Sequence, residues 1–115
     1  SLPTKHMGAF VDETRAALSA AWPNAPLLFF GHVGDNNLHI ALGVPSIEDV
    51  KKADDIVYDL LRPYRGSISA EHGVGVLKRE YLDISRNPIE IDLMRQLKQT
   101  LDPNGLLNRD RIFLF

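Results

Sequence analysis

The feature that most constrains the fold is segment 31–39, which reads Gly-His-Val-Gly-Asp-Asn-Asn-Leu-His. It joins the apolar run 27–30 to a second apolar run at 38–44. A short link rich in glycine and asparagine between two such runs is typical of an antiparallel β-hairpin. We therefore expect two paired strands here.

The turn decides which side chains of the hairpin oppose each other. If Asp35 and Asn36 form a two-residue turn, His32 faces His39, and directly opposed Cβ atoms lie about 4.5–5.5 Å apart. The two imidazoles could then share one metal ion. A slip of one residue would change the pairing. The other face is expected to enter the core, with Phe29, Gly31, Val33, Leu38, Ile40 and Leu42.

Three helices are predicted from their start signals and their apolar spacing. Small polar residues suited to capping precede each apolar stripe, and proline or glycine follows it. The start signals are Thr4, Ser46 with Asp49, and Asn87 with Pro88 and Glu90. In the last helix, the predicted inner stripe consists of Ile91, Met94, Leu97 and Leu101.

Two further segments carry structural expectations. Segment 67–70 is short and could add a strand beside the hairpin, and the apolar tail 112–115 should dock on the domain rather than extend into solvent. Together these elements predict one domain over residues 1–115. The expected class is α+β, an antiparallel sheet with packed helices.

Composition narrows the functional classes. With 44% hydrophobic and 24% charged residues the chain is typical of a globular domain. The net charge of -2 argues against a nucleic-acid partner, and the absence of cysteine excludes thiolate metal sites. No apolar run approaches the roughly 20 residues that a membrane-spanning helix needs.

A candidate site arises if the hairpin meets Glu71 and His72. Two histidines and one carboxylate form an open zinc set that leaves a position for water or substrate. Neighbouring residues of an extended segment point to opposite faces, so only one of Glu71 and His72 is expected to bind the ion. We assign Glu71 as the ligand and His72 as the acid or base; three histidine ligands are the alternative.

The chemistry of these residues suits proton removal from an alcohol. Histidine has an ordinary pKa of about 6.5, and a metal-bound hydroxyl is more acidic than a free one. The same set could instead activate water in a metal hydrolase. A non-catalytic interaction module is the third possibility.

Three segments in order, 31–39, 66–75 and 101–108, resemble the C-terminal domain of FAD-linked oxidases. That family includes D-lactate dehydrogenases, the glycolate oxidase D subunit and D-2-hydroxyglutarate dehydrogenases. The resemblance implies that His32, His39 and Glu71 bind a divalent metal, usually zinc, with manganese or iron possible. It also implies that His72 takes the substrate hydroxyl proton while hydride passes to FAD.

The resemblance places Asn37 near the substrate and Asn108 near the flavin ring. Asn36 stands where the family commonly has glycine, but asparagine tolerates left-handed backbone angles. Arg109 to Arg111 replace a usual Pro-Gly-Lys-like stretch. In this family the flavin is held mainly by an N-terminal domain, which these 115 residues do not include.

These observations predict the C-terminal portion of an FAD-dependent 2-hydroxy-acid dehydrogenase, cut from a larger cap domain. It would supply a metal site and a general base for oxidising a D-2-hydroxy acid to a 2-oxo acid, and it would not turn over alone. An exposed sheet edge also invites pairing with a second copy, so we expect a homo-oligomer. The expected location is cytoplasmic.

Overall fold

The computed structural model describes residues 1–114, which form four helices and one two-stranded antiparallel sheet. In chain order the elements are α1 (Thr4–Ala21), β1 (Leu27–His32), β2 (Asn37–Leu42), α2 (Ile47–Leu61), α3 (Leu82–Ser85) and α4 (Pro88–Leu101). Short 3-10 turns lie at Val33–Asp35, Arg62–Tyr64 and Arg79–Tyr81. The predicted α+β class is confirmed.

Two of the three predicted helix caps are confirmed. The Ser46 hydroxyl accepts from the Asp49 backbone N–H at 3.1 Å. At the start of α4, Asn87 and Glu90 form a reciprocal capping box, with the two hydrogen bonds at 2.9 and 3.0 Å. These side chains satisfy backbone donors that the first helical turn leaves unpaired.

The predicted cap of α1 is wrong by one residue, because Thr4 is already helical and Pro3 occupies the cap position. Proline has no side-chain acceptor. Its place is taken by Asn36 from the hairpin loop, whose Oδ1 accepts from the Thr4 backbone N–H at 3.0 Å. The start of α1 is thereby tied to the loop that separates the two histidines.

The hairpin forms, but in a different register from the predicted one. His32 opposes Asn37, and His39 opposes Phe30. The turn is longer than two residues, because Val33–Asp35 forms a 3-10 turn and Asn36 adopts a left-handed conformation with φ 60°. The shift is two residues, so it preserves which face each strand side chain occupies. The predicted core position of Val33 is wrong, because Val33 lies in the turn and is 62% exposed.

The core lies between α1, α2 and the segments that follow α2. Its buried cluster consists of Leu2, Phe10, Tyr58, Leu61, Ile68 and Tyr81. Inward-facing Leu38 and Ile40 of the hairpin pack against it only in part. A cavity of about 350 Å³, which these two side chains help to line, separates β2 from α2.

The outward face of β1 is exposed, although segment 27–30 is apolar throughout. Leu28 is 65% exposed and Phe30 is 59% exposed. In the described residues this face is covered only at its other end, where Glu71 contacts Asn37 and His39. Leu28 and Phe30 lack such a cover, because the sheet has no third strand and no helix on this side of them in the described structure.

Segment 67–70 does not form the third strand that was considered possible. Its backbone groups bond elsewhere: Ser67 N–H donates to the Ser1 carbonyl at 2.7 Å, and Ile68 N–H donates to the Ser85 hydroxyl at 2.8 Å. These contacts hold the segment against the chain start and α3 rather than along the hairpin.

The predicted inner stripe of α4 is not buried. Within residues 88–101 no side chain is buried, and Leu97 and Leu101 are 54% and 81% exposed. The amphipathic pattern predicted the helix correctly. It did not predict a packing partner.

The apolar tail docks at one residue. Phe113 is buried, with the Arg95 guanidinium 5.4 Å from its ring centroid, and Ile112 N–H donates to the Gly75 carbonyl at 2.8 Å. Leu114 is exposed. Phe115, the last residue of the predicted tail, lies outside the described residues.

No helix among residues 1–114 has the length and apolar character needed to cross a bilayer.

Candidate functional site

The hairpin and the segment after α2 bring the candidate residues together at one end of the molecule. His32 ends β1, Asn37 begins β2, and His39 points from the same face of the sheet as His32. Glu71 and His72 approach from irregular backbone. Five of the six residues singled out in the sequence therefore meet.

Glu71 is the centre of this cluster. Its Oε1 atom lies 3.3 Å from His39 Nε2 and 4.0 Å from His32 Nδ1. The two imidazole rings are edge to face, with centroids 6.3 Å apart. Side-chain exposure is 68% for His32, 44% for Glu71 and 30% for His39, so the cluster is open to solvent on the His32 side.

Asn37 lies beneath this exposed cluster and is only 2% exposed. Its amide Nδ2 donates to Glu71 Oε1 and lies 3.3 Å from His39 Nε2. The substrate contact that the resemblance implies for Asn37 stays a prediction, whereas its contacts within the chain are with the candidate ligands.

His72 lies beside the cluster and is exposed. Its ring centroid is 6.4 Å from that of His39. Among residues 1–114 its ring nitrogens have no hydrogen-bond partner. An accessible imidazole next to two candidate ligands is free to exchange a proton with a molecule bound at the surface.

Asn108 is apart from the other five. It follows α4, has a left-handed backbone with φ 47°, and its carbonyl accepts from Arg111 N–H at 3.1 Å. Across the described part of the chain, no hydrogen bond or ion pair links it to the histidine cluster. Its predicted flavin contact is untested.

Imidazole and carboxylate groups are suitable zinc ligands, but the distances between them here do not match a complete zinc site. Two ligands about 2.1 Å from a tetrahedral zinc lie roughly 3.4 Å apart. The 3.3 Å separation of His39 and Glu71 matches this value, whereas the 4.0 Å separation of His32 and Glu71 exceeds it. Within residues 1–114 no group of three His, Asp or Glu side chains is arranged to hold a metal. The predicted three-ligand set is therefore not preformed.

Sequence reasoning missed two neighbours of the histidines. Phe30 stacks on the His39 ring, with centroids 5.1 Å apart and planes inclined by 23°. Asp35 Oδ2 lies 3.8 Å from His32 Nδ1. The first was hidden by the wrong register, and the second could have been found from its i,i+3 spacing.

The apolar cavity between β2 and α2 touches the site only at His39. His32, Glu71 and His72 do not line it. We assign it to incomplete packing of the hairpin rather than to the chemistry.

Fold and site define a small α+β domain that exposes a histidine and carboxylate cluster at a hairpin. The sequence profile described as "FAD linked oxidases, C-terminal domain" matches residues 1–112. This chain therefore belongs to the family of C-terminal domains of FAD-linked oxidases.

Curated relatives agree with this membership. The chain is 40% identical over 112 residues to a D-2-hydroxyglutarate dehydrogenase of Stutzerimonas stutzeri, and 46% identical over 114 residues to one of Xanthomonas citri pv. viticola. The alignments cover 91% and 93% of this chain but 24% of each relative. A mitochondrial D-2-hydroxyglutarate dehydrogenase of Danio rerio is 39% identical over 110 residues, which is 94% of this chain and 20% of that protein. The chain thus spans about a quarter of the length of the first two relatives and a fifth of the length of the Danio rerio protein.

Proposed function

We propose that this chain supplies the proton-accepting part of an FAD-dependent dehydrogenase that converts a D-2-hydroxy acid to a 2-oxo acid. The observation that carries the proposal is the meeting of His32, His39, Glu71 and His72 at one exposed surface, in a chain of this family. FAD, when bound by the longer protein, supplies the hydride acceptor.

His72 is the proposed general base. Oxidation of a secondary alcohol removes two hydrogens, the carbon-bound one as hydride and the hydroxyl one as a proton. The His72 ring nitrogens are accessible, so His72 can take that proton while the hydride leaves to the acceptor. The products balance as a 2-oxo acid, a reduced acceptor and a protonated imidazole.

His32, His39 and Glu71 are the proposed ligands of a divalent ion, zinc first and manganese or iron as alternatives. The support is their chemistry, two imidazoles and one carboxylate, and the 3.3 Å approach of His39 to Glu71. Such an ion would lower the pKa of a bound hydroxyl. Its binding requires His32 to move closer to Glu71 than it now lies.

A domain exchange tests the base. The matched region of the Stutzerimonas stutzeri relative would be replaced by residues 1–112 of this chain, and flavin bleaching by D-2-hydroxyglutarate followed at 450 nm. We expect reduction by the chimera and a loss of about 10²- to 10⁴-fold in its rate with His72→Ala. His6→Ala is the matched control, because His6 lies in α1 with its ring against that of Tyr64, and its loss should leave the rate unchanged.

Two results would contradict the proposal. A folded, flavin-loaded chimera that no D-2-hydroxy acid reduces would exclude the dehydrogenase role. Equal rates for His72→Ala and His6→Ala would exclude His72 as the base while leaving the class of reaction intact.

Self-association of the isolated chain is also proposed. The support is the exposed outer face of β1, with Leu28 and Phe30, and the two unpaired edges of the sheet in the described structure. Size-exclusion chromatography with light scattering should give a dimer or larger species, and Leu28→Lys should shift it towards monomer. A monomeric parent chain would contradict this.

The cytoplasmic location stays a prediction that cell fractionation can check. The mitochondrion is the alternative, because the Danio rerio relative is named as a mitochondrial protein.

A further inference from the structure

The order of the elements matches most of a common sheet arrangement. After α1 the chain forms the hairpin of β1 and β2, then α2, and then segment 67–70. These correspond to the last five elements of a β-α-β-β-α-β unit, in which the first strand lies between the third and the fourth. Here that position is the space between β2 and segment 67–70, and no strand of the described residues occupies it.

Ser1 already pairs with segment 67–70 as a strand residue would. Its amino nitrogen donates to the Ser67 carbonyl, and the Ser67 N–H donates to the Ser1 carbonyl, both at 2.7 Å. Two residues that exchange both backbone hydrogen bonds form a hydrogen-bonded pair of an antiparallel ladder. Backbone joined to Ser1 on the side away from α1 is therefore directed along segment 67–70, antiparallel to it.

β2 presents an unpaired edge to the same space. The Gly43 N–H donates to the Pro26 carbonyl across the hairpin at 2.9 Å. Hydrogen-bonded and non-bonded pairs alternate along an antiparallel ladder, so the outer edge of β2 carries the N–H and C=O groups of Leu38, Ile40 and Leu42. Such an edge is a template for a further strand.

The cavity of about 350 Å³ lies between these two partners. Leu38 and Ile40 of β2 line one side of it, Ser67 and Ile68 line another, and Ser1 is also part of its lining. Packed protein interiors contain few voids larger than a water molecule. A space of this size, lined mostly by apolar side chains, is suited to receive the apolar side chains of one more strand.

We propose that the space between β2 and segment 67–70 is the docking site of a β-strand, supplied in a longer protein of this family by residues joined to Ser1. Segment 67–70 follows β2 through α2, so the two run in the same direction, and the docked strand is antiparallel to both. The aligned region is only 24% of the Stutzerimonas stutzeri relative, so most of that protein lies outside it. The pairing of Ser1 with Ser67 favours this strand over one from a second copy.

The pairing also predicts the pattern of the docked strand. Directly opposed side chains lie on the same face of a sheet, and Ile68 is 5% exposed and belongs to the core. In the register set by Ser1 and Ser67, Ile68 opposes the residue directly before Ser1. That residue, and the third and fifth before Ser1, should therefore be apolar and face the cavity.

A designed extension of six residues, the length of β2, tests the site. In one chain it alternates threonine and valine with valine next to Ser1. The control has the same six residues with threonine next to Ser1, which turns the valines away from the cavity. We expect the edge amides of Leu38, Ile40 and Leu42 to exchange hydrogen about 10-fold more slowly with the first extension than in the unextended chain. The control should match the unextended chain, and nuclear Overhauser contacts should show the antiparallel register.

Three results would overturn the proposal. Equal exchange rates at the β2 edge in all three folded chains would exclude strand docking there. Equal protection by both extensions would show that pairing does not depend on filling the cavity. Protection of the edge in the unextended chain that grows with protein concentration would assign the site to a second copy instead.

The chimera described above gives an independent measurement if an extension prevents folding. In it the natural residues of the Stutzerimonas stutzeri relative precede Ser1. Hydrogen exchange followed by mass spectrometry should show segment 37–42 protected relative to the isolated chain. An unprotected segment in a folded chimera would overturn the docked strand whether or not the flavin is reduced, so this result is distinct from a failure of the proposed reaction.

Discussion

The part of the chain up to α3 and the part that follows it are held together in different ways. The first has a core, in which Phe10 and Leu18 of α1 are almost fully buried. In the second, α4 buries no side chain within residues 88–101. The C-terminal region instead depends on a polar residue, Asp102, and on one docked aromatic residue, Phe113.

Asp102 is the centre of the C-terminal region. Its carboxylate accepts from Lys98 Nζ at 2.5 Å and from the backbone N–H groups of Leu106 and Leu107 at 2.9 Å each. The hydrogen bond from Lys98, followed by those from the two amides, lowers the pKa of Asp102 to about 2. An apolar helix pattern alone therefore does not show how a region is stabilised.

The largest predicted difference comes from one substitution made in both regions. Leu18→Ala creates a cavity at a fully buried position and should lower the free energy of unfolding by about 2–5 kcal/mol. Leu101→Ala, at a position that is 81% exposed, should change it by less than about 0.5 kcal/mol. Urea denaturation followed by circular dichroism measures both. Equal losses would show that α4 is packed as tightly as α1.

The hairpin offers a second matched pair, at glycines. A Cβ on Gly31 would collide with the backbone carbonyl of Asn37 across the strand pair, whereas one on Gly34 would meet nothing within 4 Å. We expect Gly31→Ala to cost about 1–3 kcal/mol and to displace Asn37, with Gly34→Ala near neutral. Thermal unfolding and the amide spectrum of β2 report the two effects. A stable Gly31→Ala hairpin would contradict the observed register.

The N-terminal caps of α2 and α4 form a third matched pair. Ser46→Ala and Asn87→Ala each remove a hydrogen bond to a helix N-terminus that is usually worth about 0.5–2 kcal/mol. Because α2 contributes Tyr58 and Leu61 to the core, the first should lower global stability. The second should only speed hydrogen exchange within α4. Global destabilisation by Asn87→Ala would show that α4 is coupled to the core.

The smallest and most local predicted effect is the loss of the Asp102 hydrogen bonds when its carboxylate is protonated at low pH. Its pKa in the folded chain is about 2, below the ordinary value of 3.8, so its stabilisation is complete above about pH 4 and is lost as pH falls through 2. The amide signals of Leu106 and Leu107 should therefore shift with a midpoint near pH 2, and Asp102→Asn should abolish that transition. A midpoint near 3.8 would contradict the network.

Much of the local structure was determined by the sequence itself. The starts of α2 and α4 follow from Ser46 and Asn87, because N-capping is an interaction between residues three apart. The hairpin follows from its turn residues, and Asn36 adopts the left-handed conformation that its tolerance for positive φ allowed. The face shared by His32 and His39 survived the register error because strand side chains alternate with period two.

Tertiary structure decided what local pattern could not. The register depends on how many residues the turn uses, and here Val33–Asp35 and Asn36 use four where two were assumed. The amphipathic helix α4 was predictable from the sequence. Its apolar stripe shows only that the helix can pack against a partner, not that a partner is present. The burial of Asn37 beneath Glu71 and His39 depends on segments 34 residues apart meeting in space, which no local spacing encodes.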